Sequence, residues 1–382
     1  MSLERRRVSI TSMEHGGLGT ISLSTATLGD SRSPSVAVVL VNWNSWRHTV
    51  ECLDSLLAQT YANFSVFVVD NDSQDQSIER ISEWCAKPTG NAAWLRHAGV
   101  DRYCDQSPVA AVPFRLLNSI KIPETRDAPE QPVTLIRAGK NLGFAGGCNV
   151  GIKSAGLGLF EYYWLLNTDT VVHRDALAAL LGRAELEPKP GMTGSTILYY
   201  DRPGVIQALG GGRLGISGVN WELIGQGRNL PDSTMDVTTV EREISYIMGA
   251  SMLVSRQFIQ DVGPMQEDYF LYYEEIDWAM RGRGKYALGY ASDSVVFHKS
   301  GASSSKVMPM FSANLYYRNG IRFISRFFPE RMGALKRRLL LEVLRYGLKG
   351  EWARSGLVLR IWRDARRIQF DACSLTSGQR LR

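Results

Sequence analysis

The chain has 382 residues, 44% of them hydrophobic, and a formal net charge of +6. That is enough apolar material for one large domain with appendages, or for two domains. Five widely spaced cysteines (Cys52, Cys85, Cys104, Cys148 and Cys373) form no CxxC, which argues against a disulfide framework or a zinc site and for reduced thiols in a cytosol; no run of about 18 apolar residues is present, so no membrane span is expected.

Residues 1–34 are polar and rich in Ser, Thr and Gly, lack the apolar core of a secretory signal, and are expected to form a disordered leader. "SVAVVLVNWNS" then reads as a buried strand that breaks at Asn42–Ser45. A helix follows, with Ser45 as its N-cap and Val50, Leu53, Leu56 and Leu57 on one face. "FSVFVVDNDSQDQSIERISEW" repeats the plan of apolar strand, acidic turn at Asp70–Asp75, and helix. Alternation of this kind predicts right-handed crossovers and a parallel sheet whose ligands sit at the carboxyl ends of its strands.

Residues 86–132, rich in proline and without a clear period, read as a partly ordered insertion. The sheet resumes with a strand ending near Arg137, and Gly143, Gly146 and Gly147 precede or open a helix. Phe160–Leu166 is a strand that runs into Asn167-Thr168-Asp169, with a helix expected over Ala176–Glu187. Beyond Pro188 come short strands, Gly-rich turns and a polar loop over about 224–242. "ISYIMGASMLVSRQFIQDVG" reads as strand then helix. A helix over about Glu275–Gly282 precedes two strands ending at His298, and from about Met310 the chain is helical. Arg318 to Arg367 holds fourteen Lys/Arg against four Asp/Glu, so the basic excess belongs to this end of the chain.

Four features bear on the chemistry. Asp169, at a strand end, is suited to hold a divalent cation beside a diphosphate, although a turn or N-cap aspartate would look the same. In "FLYYEEIDW" three aromatics precede Glu274, Glu275 and Asp277. Carboxylates in such surroundings tend to gain proton affinity, as a general base needs, but an acidic helix start is the plainer alternative. His298 ends an apolar strand, where it would serve as a structural hydrogen-bonder or as a metal ligand. "GKNLGFAGGCNVG" allows close backbone approach, yet matches neither a Walker loop nor GxGxxG.

Taken in order, "VVLVNWNS", "VVDNDSQD", "NLGFAGGCNVGI", "WLLNTDT", "MGASMLV", "YFLYYEEIDWAMR", "VFHKSG" and "YYRNGIRF" resemble glycosyltransferase family 2, especially its rhamnosyltransferase-like bacterial members. The resemblance implies an α/β GT-A fold, with a catalytic domain over 35–305 and a basic amphipathic helical region over 306–382. It also implies transfer of one sugar, with inversion, from a nucleotide-diphosphate sugar to a glycan or lipid-linked acceptor. TDP-rhamnose is the first candidate donor.

By the same resemblance Asn42, Asn44 and Asp70 would contact the base and ribose. Asn141, Gly143, Gly147 and Asn149 would shape the floor under the nucleotide sugar, and Gly249 and Ala250 would sit near the transferred sugar. Asp169 and His298 would hold Mg2+ or Mn2+, and Glu275 stands at the place of the catalytic base, with Glu274 and Asp277 as neighbours that could share it. Two positions depart from the family pattern. Asn167, counted with the donor-binding residues, replaces the first acidic place of the Asp-x-Asp metal motif, and Glu275 replaces the usual Asp. The QxxRW signature of processive synthases is absent from the sequence, which implies one sugar per encounter.

The basic C-terminal helices are expected to lie on an anionic membrane, at the inner face of the plasma membrane; capping of the catalytic domain or pairing into a homodimer would use the same residues. Nucleic acid is not expected as a partner. The competing assignments are a sugar-phosphate nucleotidyltransferase, which lacks support because "NWNSW" stands where its Gly-rich basic loop would be, and a non-catalytic carbohydrate-binding protein on a transferase fold.

Overall fold

The computed structural model describes residues 33–87, 100, 111–118, 132–215, 220–230, 236–299 and 309–368. The expected leader up to residue 32, most of the 86–132 insertion, and residues 369–382 lie outside these ranges.

The first half runs β1 (Val36–Asn42), α1 (Trp46–Leu57), β2 (Phe64–Asp70), α2 (Ser77–Ala86), β3 (Phe114–Leu117), β4 (Val133–Arg137), α3 (Gly143–Ala155), β5 (Tyr162–Asn167), β6 (Thr170–Val172) and α4 (Ala176–Ala184), alternating as expected except at β6 and at β3, which adds a sheet strand inside the segment read as an insertion. The second half is mixed: β7 (Pro190–Tyr199), β8 (Arg202–Leu209), β9 (Gly211–Leu214), β10 (Trp221–Leu223), α5 (Val237–Glu243), β11 (Tyr246–Ile247), β12 (Ser251–Ser255), α6 (Arg256–Val262), α7 (Glu274–Gly282) and β13 (Ala287–His298). Three helices end it, α8 (Met310–Phe327), α9 (Met332–Leu348) and α10 (Trp352–Arg363).

A ten-stranded sheet runs in the order β3-β4-β2-β1-β5-β12-β7-β13-β6, with β8 paired to β7, and a small sheet runs β10-β9-β11. β3, β4, β2, β1 and β5 pair with one another in parallel, in that order, while β12 lies antiparallel to β5 and to β7. The result is an α/β fold with a large, mostly parallel central sheet, flanking helices and C-terminal helices, the architecture the GT-A expectation called for.

Both faces of the parallel half are covered, which is why its strands read as near-continuous apolar runs. Ala37 and Val39 of β1 join a core under α3, and Val36, Val38 and Leu40 join a second core under α1. Gly147 and Gly151 bring α3 close to β1, since a Cβ at Gly147 would stand 2.6 Å from Val41 Cγ1. Ile321, Phe323 and Ile324 of α8 belong to the same core as Tyr269, Tyr273 and Trp278.

Several local expectations change. The two strands before His298 are one strand, β13, whose register against β7 slips between Ala291 and Val295. The exposed, polar Ser292 and Asp293 occupy that slip and hid the continuity of the strand. The polar loop near 224–242 contains α5, started by Asp236, whose side chain accepts a hydrogen bond from Thr239 N at 2.8 Å. Ser45 does precede α1, but its side chain makes no cap bond. Among the described residues no helix is long and apolar enough to cross a membrane.

Candidate active site at the carboxyl edge of the sheet

Register brings the polar strand ends together. Asn42 pairs with Asp70, Asp70 with Arg137, and Val41 with Asn167. The buried Asn42 amide donates to Asp70 Oδ1 (2.9 Å) and Ser73 Oγ (3.0 Å), and its Oδ1 accepts from Thr49 Oγ1 (2.7 Å). Asn44, at φ 50, accepts from Gln74 N through its Oδ1 (2.7 Å). Asn141 Oδ1 accepts from Asn71 Nδ2 (3.0 Å) and Gly143 N (2.9 Å), tying the turn before α3 to the end of β2.

Not every residue expected at the donor faces an open space. The Asn149 amide is buried and bridges Met265 O (2.9 Å) and Glu267 Oε1 (2.8 Å), while Gly147 lies against Val41. Ala250 O accepts from Asn167 N at 3.1 Å, so Gly249 and Ala250 lie beside the end of β5.

His298 ends β13 opposite Thr170 of β6, and Lys299 N donates to Asp169 O at 2.9 Å. This pairing sets His298 Nε2 at 3.1 Å from Asp169 Oδ1. His298 Nδ1 lies 2.9 Å from Gln207 Oε1. With Nδ1 donating to this amide oxygen, Nε2 is the ring nitrogen left to ligate an ion placed between it and the carboxylate. Two ligands each about 2.1 Å from one ion on adjacent octahedral vertices stand about 3 Å apart, so the pair fits a divalent cation. Among the described residues no group of three or more His, Cys, Asp or Glu side chains converges on one point. A cation held here would therefore need oxygens from its ligand to complete its shell.

Beside Asp169 opens a cleft of about 290 Å³ lined by Val41, Trp43, Ser45, His48, Asn167, Thr168 and Asp169. Behind it, buried Glu51 pairs with Lys299, accepts from Tyr200 OH (2.6 Å), and Lys299 Nζ lies 2.9 Å from His48 Nδ1. Burial and the neighbouring Lys299 charge push the His48 imidazole below its ordinary range. Sequence reasoning missed His48, Glu51, Tyr200, Lys299 and Gln207. The sole signals were Lys299 next to His298 and the one-turn spacing of His48 and Glu51 on α1.

Glu274 and Glu275 open α7. Each has one carboxylate oxygen (Oε2) buried with no hydrogen-bond partner among the described residues. Burial pushes Glu275 up to about 7. Glu274 is raised well above the usual carboxylate range, by burial first and then by the charge of Glu275. Asp277 is different: it is buried, Oδ1 accepts from Arg281 Nε (2.8 Å), and Oδ2 accepts from Arg326 Nη1 (2.8 Å) and Tyr269 OH (3.1 Å). Its oxygens hold the fold together rather than face a substrate.

The turn before α7 is strained, with Phe270, Tyr272 and Tyr273 at φ 61, 69 and 77. Aromatic residues seldom adopt such angles without outside support. Asn319 of α8 supplies it, donating through Nδ2 to Tyr269 O (2.7 Å), Leu271 O (2.8 Å) and Tyr272 O (3.1 Å). Gly143, at φ 71, completes the seat, since a Cβ there would stand 2.3 Å from Phe270 O. "YYRNGIRF" was part of the resemblance, but nothing in its spacing gave Asn319 this task.

Residues 37–97 match the family model described as "Glycosyl transferase family 2". Among solved structures the chain is similar to the mannosyltransferase PcManGT from Pyrobaculum calidifontis in complex with GDP-Man and Mn2+. The identity is 13% over 88% of each chain, with TM-score 0.45. It is similar also to S. aureus TarS 1–349, at 12% identity over 91% of this chain and 93% of that one, TM-score 0.45. A third likeness is to glucosyl-3-phosphoglycerate synthase from Mycobacterium tuberculosis in complex with Mn2+, UDP and glucosyl-3-phosphoglycerate. There the identity is 11% over 78% of this chain and 80% of that one, TM-score 0.41. No curated protein sequence matches the chain at a significant level.

Proposed function

We propose that this protein is an inverting glycosyltransferase that moves one sugar from a nucleotide-diphosphate donor to an acceptor hydroxyl. The observation that carries the reading is the pair Asp169 Oδ1 and His298 Nε2, 3.1 Å apart beside an open cleft at the carboxyl edge of the sheet. The family match over residues 37–97, which contain Asn42, Asn44 and Asp70, supports it. A divalent cation bound at this pair would supply Lewis-acid stabilisation for charge growing on a diphosphate.

The chain's own groups do the rest. Glu275, held near neutrality by burial, takes the proton of the acceptor hydroxyl as that oxygen bonds to the anomeric carbon. The carbon–oxygen bond to the diphosphate breaks, and its electron pair leaves on the phosphate oxygen. The transition state has oxocarbenium character, and attack opposite the leaving group inverts the centre. Rhamnose is the first sugar to try, and a glycan or lipid-linked glycan the first acceptor class.

Glu275→Gln tests the assignment. Turnover is expected to fall about 10²–10⁴-fold, the usual worth of general-base help, with nucleotide-sugar affinity kept. A variant that turns over at near-normal rate would place the base elsewhere.

A further inference from the structure

Five of the twelve large apolar side chains that are exposed among the described residues fall within thirteen positions: Leu340 (37%), Leu341 (66%), Leu344 (63%), Leu348 (91%) and Trp352 (73%). Their spacing of three and four places the leucines on one face of α9, and Trp352 opens α10 just beyond. The opposite face of α9 already packs inward through Met332, Leu335 and Leu339. Such a stripe is costly to leave in water, and clustering of this kind marks a surface that docks something.

The charges around the stripe say what. Arg337 lies on it, Arg345 flanks it and Lys349 follows it, all exposed. The acids nearby are Glu342, mostly covered and 3.5 Å from Arg345, and Glu351, which pairs with Arg354 at 3.1 Å. We propose that this face of α9, with Trp352, docks on an anionic lipid surface, the leucines entering the acyl boundary and the cations meeting headgroup phosphates. A second copy is the weaker occupant. Two-fold pairing of the stripe would set Arg337, Arg345 and Lys349 against their own like charges. Docking by this face is independent of sugar transfer and can be read without turnover.

The experiment is flotation of the full chain with vesicles of phosphatidylcholine alone and of phosphatidylcholine with phosphatidylglycerol. The protein is expected to float with the anionic vesicles only and to be released as salt rises. Leu341→Glu/Leu344→Glu and Arg337→Glu/Arg345→Glu are each expected to weaken binding by about tenfold or more, with melting temperature unchanged because these side chains stand in solvent. Absence of flotation, equal binding to neutral vesicles, or full binding by both variants would overturn the proposal. A concentration-dependent dimer in sedimentation, abolished by the leucine variant, would also overturn it, giving the face to a second copy.

Discussion

Glu275 carries the clearest residue-scale consequence. Because burial raises it to about 7, transfer rate is expected to climb with pH along a limb centred near that value, measurable in a pH–kcat profile. The stability consequence has the opposite sign. The folded chain binds this proton more tightly than the unfolded chain, so its contribution is full below the ordinary carboxylate range and is lost as pH rises through about 7. Glu275→Gln is therefore expected to gain melting temperature relative to wild type at pH 8 but not at pH 4, as thermal denaturation at both would check. Gln207 lies against the His298 ring. It orients the His298 ring, and Gln207→Ala is expected to lose about 10–100-fold in divalent-cation affinity measured by titration with nucleoside diphosphate present. Asp169, His298 and Glu275 drew attention in the sequence because each stood at the end or start of a patterned element. Gln207 did not, since a lone amide inside "GVIQALGGG" has no periodic mark, and its meaning comes from the pairing of β13 with β7, which brings His298 to it from 91 residues away.

At the scale of elements, the turn ahead of α7 depends on a helix that follows it by some forty residues. Asn319→Ala removes three donated contacts from a backbone segment at positive φ, and is expected to cost about 1–3 kcal/mol of stability and to lower kcat more than donor affinity. Denaturant melts paired with steady-state kinetics would check it; an unaltered kcat would show that the turn holds its shape unaided. Gly143→Ala should act on the same turn from the other side, through contact with Phe270 O. The alternation of strand and helix from β1 to α4 was readable because burial on both faces leaves a strand almost wholly apolar. β6, α5 and the continuity of β13 were not readable. The first two are short, and the third is broken in pattern by the slip near Ser292.

For the whole molecule, the C-terminal helices matter to the fold as well as to any surface. Phe323 lies 5.6 Å from the Tyr273 ring and 5.3 Å from Trp221, and Arg326 pairs with Asp277. A chain ending at residue 308 is expected to lose cooperative unfolding, because the core around Tyr269, Tyr273 and Trp278 would stand open. Circular dichroism melts would show it. The basic helical end was readable in the sequence but not the support α8 gives to the turn before α7, since periodicity reveals which face is apolar and not what that face meets. The proposed chemistry depends on Asp169 and His298 holding a cation against a diphosphate. Calorimetric titration of nucleoside diphosphate, with Mn2+ and with chelator, tests it most directly in wild type, Asp169→Ala and His298→Ala. Tighter binding with Mn2+ in wild type, lost in both variants, is the expected result; equal affinity with and without the ion in wild type would contradict it.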